Sequence, residues 1–109
     1  MLIAVASKDG KEINQHFGHA DRFFIYDVDG ENVTLKEEKV VERYCSDDPD
    51  HQLRKHILSA LADSVKGCRA VVCAQIGQAP QMEMERLGVE VFTAEGPIGK
   101  TLLELAKIL

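Results

Sequence analysis

His16 and His19 stand three residues apart in the run Asn14-Gln15-His16-Phe17-Gly18-His19-Ala20-Asp21-Arg22-Phe23, with a Phe-Gly pair between them. A neutral imidazole offers a ring nitrogen to a metal, and a glycine lets the backbone turn, so Gly18 is placed to let both rings face one point. The spacing alone is a weak metal signal and more often marks exposed or hydrogen-bonded loop imidazoles. The setting favours binding, because the run is polar and leads directly into an apolar strand pattern, which anchors it as a positioned binding group requires. Cys45 lies in a second polar loop after a further strand pattern, with His51 shortly beyond it.

The remaining soft or nucleophilic side chains do not form a recognisable centre. Cys68 and Cys73 bracket Arg69 to Val72 instead of forming a Cys-x-x-Cys pair, so a thioredoxin-type redox centre is not expected. Cys73 falls inside an apolar strand pattern and reads as a small core residue. Ser7, Ser46 and Ser59 lack the context of a nucleophile elbow. Ile76-Gly77-Gln78-Ala79-Pro80 takes the chain from strand to helix and offers backbone N–H groups to an anion, but a nucleotide fingerprint is missing.

The elements that must position these groups follow from periodicity. Leu2 to Ala6 is a buried strand that ends at the turn signal Ser7-Lys8-Asp9-Gly10. Phe23 to Val28 and Val33 to about Val41 form a hairpin around Asp29-Gly30. Asp48 and Pro49 begin a helix whose apolar face is Leu53, Ile57, Ala60, Leu61 and Val65, and Gly67 ends it. Ala70 to Ala74 is a strand buried on both faces, Pro80 to Leu87 a short helix closed by Gly88, and Val89 to Phe92 another strand. A last helix from about Ile98 carries Leu102, Leu105, Ala106 and Leu109 on one face.

The resulting order is β-β-β-α-β-α-β-α, an α/β fold with a mixed five-stranded sheet and helices on both faces. Ligands of such sheets gather at the carboxyl ends of the parallel strands. Ser7 onward, Gln75 to Gly77 and Thr93 to Gly96 are expected at that end, beside the loop bearing His16 and His19. Gly10 and Gly18 bracket a mostly polar segment with few core anchors, so the loop is expected to be mobile. A ribonuclease H-like nuclease shares this order of elements, but its chemistry needs an acid on the first strand, and Leu2 to Ala6 contain none.

At 109 residues the chain fits a single domain, 1–109, with one core. Hydrophobic residues at 45% and charged residues at 28% are ordinary for a folded protein. The net charge of −5 argues against a nucleic-acid binder, which needs a basic face. No apolar run reaches bilayer-spanning length, so no membrane association and a cytoplasmic location are expected. The three cysteines lack disulfide-framework spacing and fit a reducing compartment.

Ile3-Ala4-Val5-Ala6-Ser7, the run Asn14 to Phe23, Tyr44-Cys45 and Cys73-Ala74-Gln75-Ile76-Gly77 together resemble the dinitrogenase iron-molybdenum cofactor biosynthesis family, whose members include NifX, NafY and the C-terminal domain of NifB. The resemblance covers nearly the whole chain, and His-Phe-Gly is its specific part. It implies a ribonuclease H-like three-layer fold. It also implies binding, storage or delivery of an iron-sulfur cluster or iron-molybdenum cofactor precursor, without catalytic turnover, between cluster donor and acceptor proteins.

Within that frame the expected metal ligands are His16, His19, Cys45 and His51, with Arg22 beside the first three as a cofactor-binding residue. His51 enters because some relatives carry a second cysteine after the Tyr-Cys position, whereas here Ser46 to Asp50 hold none. A preassembled cluster needs only a few terminal ligands, and imidazole and thiolate both suit iron. Such clusters are anionic, and Lys8, Lys11, His16, His19, Arg22 and Arg43 can concentrate positive charge near one loop. The competing reading is a regulatory or scaffold module that binds a protein partner or a small anion at the strand ends without metal.

Overall fold

A computed structural model describes residues 1–41 and 59–109. The central strand β1, Leu2–Ala6, pairs on one side with β3, Arg22–Asp29, antiparallel, and on the other with β5, Ala70–Cys73, parallel. The sheet is completed by β4, Asn32–Val40, outside β3, and β6, Glu90–Thr93, outside β5, which gives the order β4-β3-β1-β5-β6. The expected mixed five-stranded sheet is therefore present. Between β4 and β5 the described part of a helix, α1, covers 59–64, followed after β5 by α2, Gln78–Arg86, and at the end of the chain by α3, Ile98–Ala106.

Alternation along the two central strands builds the two halves of the core. Ala4, Ala6, Val71 and Cys73 pack with Leu61, Ala62, Val65 and Met84, which places α1 and α2 on one face. Ile3, Val5, Ala70 and Val72 pack with Ile98 and Leu102 of α3 on the other. Both strands are therefore apolar throughout, as strands covered on both sides must be. Alanines 4 and 6 share their face with the buried rings of Phe17 and Phe23, small side chains beneath large ones, as close packing requires.

Several boundaries shift. On α1, Leu61 and Val65 are buried as expected, but Ala60 is exposed and Ala62 takes the inward position. Helix α2 begins before Pro80, which occupies the first turn, where a missing N–H costs nothing. The expected helix start at Asp48 and Pro49, with Leu53 and Ile57, lies outside the described residues. Edge strand β4 carries Lys36, Glu37, Glu38 and Lys39, and Lys36 is the extra residue of a bulge opposite Ile25 and Tyr26. Charge and a bulge together discourage pairing with another chain.

Two elements have no counterpart in the periodicity. Strands β2, Glu12–Ile13, and β7, Gly96–Pro97, pair antiparallel, and the N–H of Ile98 donates to the Lys11 carbonyl. A two-residue strand cannot show an alternation, so neither is visible in sequence. Their pairing joins the loop after β1 to the start of α3.

The same loop corrects the expectation of few core anchors. Ile13, Phe17 and Ala20 are all buried, Ile13 in the α3 half of the core and Phe17 and Ala20 in the other. At its start Ser7, also buried, accepts at Oγ from the Gly10 N–H at 2.9 Å and donates to the Glu12 carbonyl. Asp9 Oδ1 accepts from the N–H groups of Lys11 and Glu12, which hold its carboxyl below the usual carboxylate range. The turn closes through Gly10 at φ 73°, where an added Cβ would come within 3.1 Å of the Phe24 ring.

Gly10→Ala is expected to cost roughly 1 to 3 kcal/mol, combining left-handed strain with displacement of Phe24. Gly30→Ala, at φ 59° in the β3–β4 turn with open space around it, should cost less. Urea unfolding of the two variants makes the comparison, and equal losses would discount the Phe24 contact. Ser7→Ala, which strips a buried hydroxyl from the Gly10 N–H and the Glu12 carbonyl, should cost about 1 to 3 kcal/mol in the same assay.

Candidate functional site

The carboxyl ends of β1, β5 and β6 lie together, and the loop after β1 crosses over them. It is tied down by a short parallel contact with the chain leaving β5: the Phe17 N–H donates to the Gln75 carbonyl at 2.8 Å, and the Ala74 N–H donates to the Gln15 carbonyl at 3.0 Å. The Ala94 N–H donates to the Cys73 carbonyl, bringing the segment after β6 to the same end. All three segments named from the strand pattern are therefore where the topology required them.

Between these ties Phe17–His19 forms one 3₁₀ turn. Phe17 is fully buried against Phe23, with ring centroids 5.5 Å apart, and drives this turn onto the core. Burying a ring of this size contributes on the order of 2 to 3 kcal/mol. The residues on either side of the inward Phe17 and buried Gly18 are left at the surface. They are His16, partly exposed, and His19, exposed, with ring centroids 5.2 Å apart and planes inclined at 69°. The rings thus lie close together, but a positive φ at Gly18 is not what brings them there. Gly18 sits within the 3₁₀ turn, and the positive φ in this loop belongs to Gly10.

The two imidazoles differ. His16 caps the 3₁₀ turn: its Nδ1 accepts from the Gly18 N–H at 2.9 Å. Partial burial, and then the neighbouring His19, lower its pKa, so the ring is neutral at pH 7. His19 is held through its backbone, whose N–H donates to the His16 carbonyl and whose carbonyl accepts from Gln15 Nε2 at 3.2 Å, leaving its ring outward. His19 lines an open polar depression of about 460 Å³ together with Lys8, Gln15, Asp21 and Arg22.

The positive charge expected around the loop is only partly assembled. Lys8 and Arg22 reach the depression, but Arg22 Nη1 bonds Glu38 at 2.6 Å and its Nε bonds Asp21 at 3.3 Å. Arg22 thus presents a guanidinium already paired with two carboxylates. Lys11 does not line the depression, and Arg43 lies outside the described residues. So do Cys45 and His51, and with them half of the expected ligand set. Among the described residues, no group of three or more His, Cys, Asp or Glu converges on a single point.

Neither described cysteine is a reactive thiolate. Burial pushes the Cys73 thiol up to about 12, and Cys68 is raised chiefly by burial as well. Cys73 is a core residue, as its strand pattern implied. Ser7 has the opposite history. It shows no nucleophile context in sequence, and its role is to fold the turn that starts the loop. The signal for that role was present in Ser7-Lys8-Asp9-Gly10, because Ser and Asp side chains accept from backbone N–H groups two or three residues on.

Comparison with known proteins agrees with this architecture. The sequence profile of the dinitrogenase iron-molybdenum cofactor family matches residues 1–108. The FeMo cofactor biosynthesis protein NifB of Klebsiella pneumoniae is 37% identical over 105 residues, covering 93% of this chain and 22% of that protein. NifB of Chlorobaculum tepidum is 38% identical over 96 residues, covering 88% of this chain and 22% of that protein. The chain thus spans about a fifth of the length of these relatives.

Among solved structures, PH0822 superposes with a TM-score of 0.67 at 25% identity, covering 98% of this chain and 90% of that one. Protein MJ0327 of Methanocaldococcus jannaschii, with a TM-score of 0.56 at 21% identity and covering 97% of this chain and 86% of that one, shares the fold. With a profile match over nearly every residue and relatives above 30% identity across most of its length, the chain belongs to the dinitrogenase iron-molybdenum cofactor family.

Proposed function

We propose that this protein binds and hands on an iron-sulfur cluster or iron-molybdenum cofactor precursor during iron-molybdenum cofactor biosynthesis, without chemical turnover. The observation that carries the reading is the imidazole pair on a loop strapped to the carboxyl end of the sheet, in a chain of this family. Such a cluster already has its sulfides in place, so a carrier contributes terminal donors and must let them go. Imidazole meets both needs, because it is a moderate ligand for iron.

The depression beside His19 suits an anionic cargo. Lys8 and Arg22 both line it, although the Arg22 guanidinium is already paired with Glu38. Cys45 and His51 are further donors on this reading, assigned from sequence. The strand order β4-β3-β1-β5-β6, with only β3 antiparallel to the other four, supports the ribonuclease H-like grouping.

Anaerobic incubation with iron and sulfide, then desalting, visible absorption and iron analysis, tests the proposal. A coloured protein that retains iron is expected, with release on adding a competing thiolate chelator. A colourless, iron-free product would instead favour a scaffold that binds a partner or an anion. Lys8→Glu should lower iron-sulfide uptake and reduce its sensitivity to salt, because one attractive charge at the rim has been reversed.

A further inference from the structure

At the amino ends of β1, β5 and β6, opposite the histidine loop, lies a cavity of about 510 Å³. It opens where α1 and α2 both end. The chain reversals there use Gly67 at φ 93° and Gly88 at φ 83°, and an added Cβ at either would meet nothing within 4 Å, so the space between the helix ends is left unfilled. The floor of the cavity is buried and apolar, made by Ala62, Cys68 and Val89. Its rim is apolar as well, but Met1, Leu2 and Leu87 on it are exposed.

Single exposed apolar side chains are ordinary, whereas three around one concavity mark an interaction surface. Leu87 is fixed in place, because it caps α2, with its N–H donating to the Glu83 and Met84 carbonyls. A projecting leucine beside an apolar hollow is what a two-fold contact needs, since each copy then supplies both the knob and the hole. A second cavity of about 420 Å³, lined by Val28, Leu103 and Ala106 and sharing Met1, continues the apolar surface toward α3. A stable interface takes roughly 800 Å² per copy, about an eighth of the 6413 Å² that this chain exposes.

Charge selects the occupant. The chain carries −5, so two copies repel wherever carboxylates are in excess. This end is balanced. Asp63 and Lys66 stand on the first cavity, neither in an ion pair among the described residues, while Arg69 is matched by Glu90 at 2.9 Å and the Met1 ammonium by Asp27 at 3.0 Å. The second cavity adds one further charge of each sign, Glu31 and Lys107. A surface with both signs and no excess meets its own copy without repulsion, whereas a strongly charged partner gains nothing from it. Edge strand β4 offers no competing route, because charge and its bulge blunt it.

We propose that this end of the sheet is the contact between two copies of the chain, with Leu87 of each seated in the cavity of the other. The two histidine loops then face away from the contact and stay open. The contact holds whether or not the chain carries a cluster.

Sedimentation velocity and light scattering of the intact protein, from low micromolar to near-millimolar concentration, should show the mass rising from 12.1 kDa to twice that value. Leu87→Lys puts an ammonium into the partner's apolar cavity while suiting the C-terminal end of α2, so it should raise the dissociation constant on the order of 10- to 100-fold with the circular dichroism unchanged. Met82→Lys adds the same charge to the same helix at an exposed position outside the cavity and should leave association as it is. Asp63→Lys and Lys66→Glu each give the surface a single sign and should each weaken self-association. Mixed in equal amounts, these two variants should form a mixed dimer that dissociates as salt is raised.

A mass of 12.1 kDa at every concentration overturns the proposal and leaves this end to a different protein or to a small apolar ligand. A dimer that survives Leu87→Lys, or that is lost equally with Met82→Lys, overturns the placement of the contact, and so does a failure of the two charge variants to pair. Should Leu87→Lys not fold, the charge variants, both at exposed positions, carry the test by themselves.

Discussion

The attachment of one loop to the end of β5 is the constraint on which the site depends. Two backbone hydrogen bonds, Phe17 to Gln75 and Ala74 to Gln15, extend the parallel pairing past the end of the regular sheet. They act together with burial of Phe17, since neither the ring nor the backbone can leave without the other. The histidines stay at the surface because Phe17 and Gly18 between them are buried, so that the short 3₁₀ turn leaves His16 partly and His19 fully outward. An exposed imidazole pair with a defined separation is thus a product of core packing.

The loop is held from both halves of the core. Ile13 enters the α3 side and Phe17 the side of α1 and α2, so the segment between them passes over the end of the sheet. Ser7, Asp9 and Gly10 shape its beginning, and the pairing of Glu12 and Ile13 with Gly96 and Pro97 secures its middle. On the proposed carrier reading, donors held in this way would cost the loop little ordering entropy when cargo arrives. The fold places its polar surface where β1, β5 and β6 all end, beside the charged edge strand β4, whose Glu38 pairs with Arg22.

Much of this was legible in the residues, for identifiable reasons. Leu2 to Ala6 and Ala70 to Cys73 are uninterrupted apolar runs, and only strands covered on both faces tolerate that composition. The Gly30 hairpin, the terminal helix and the buried positions of Leu61, Val65 and Leu102 follow from local periodicity. Ala60 was placed inward where Ala62, two residues on, is the buried one, since an alanine carries too little apolar area to mark a face. The loop looked unanchored because Ile13, Phe17 and Ala20 are too widely spaced to form a periodic pattern, although each is buried. Strands β2 and β7 escaped notice through brevity.

By itself the sequence determined the order of elements, the two-sided core, the end of the sheet at which a ligand would be met, and the imidazole pair with its family. Those properties are written in short-range patterns of residue type, which a chain displays before it folds. The tertiary structure alone decided that the rings approach to 5.2 Å, that Arg22 is already paired with Glu38, and that His16 spends its lone pair on Gly18. Each is a matter of direction and distance between groups. A hydrogen bond fixes which nitrogen carries a proton only once its partner is in place, and no pattern of residue types specifies that geometry.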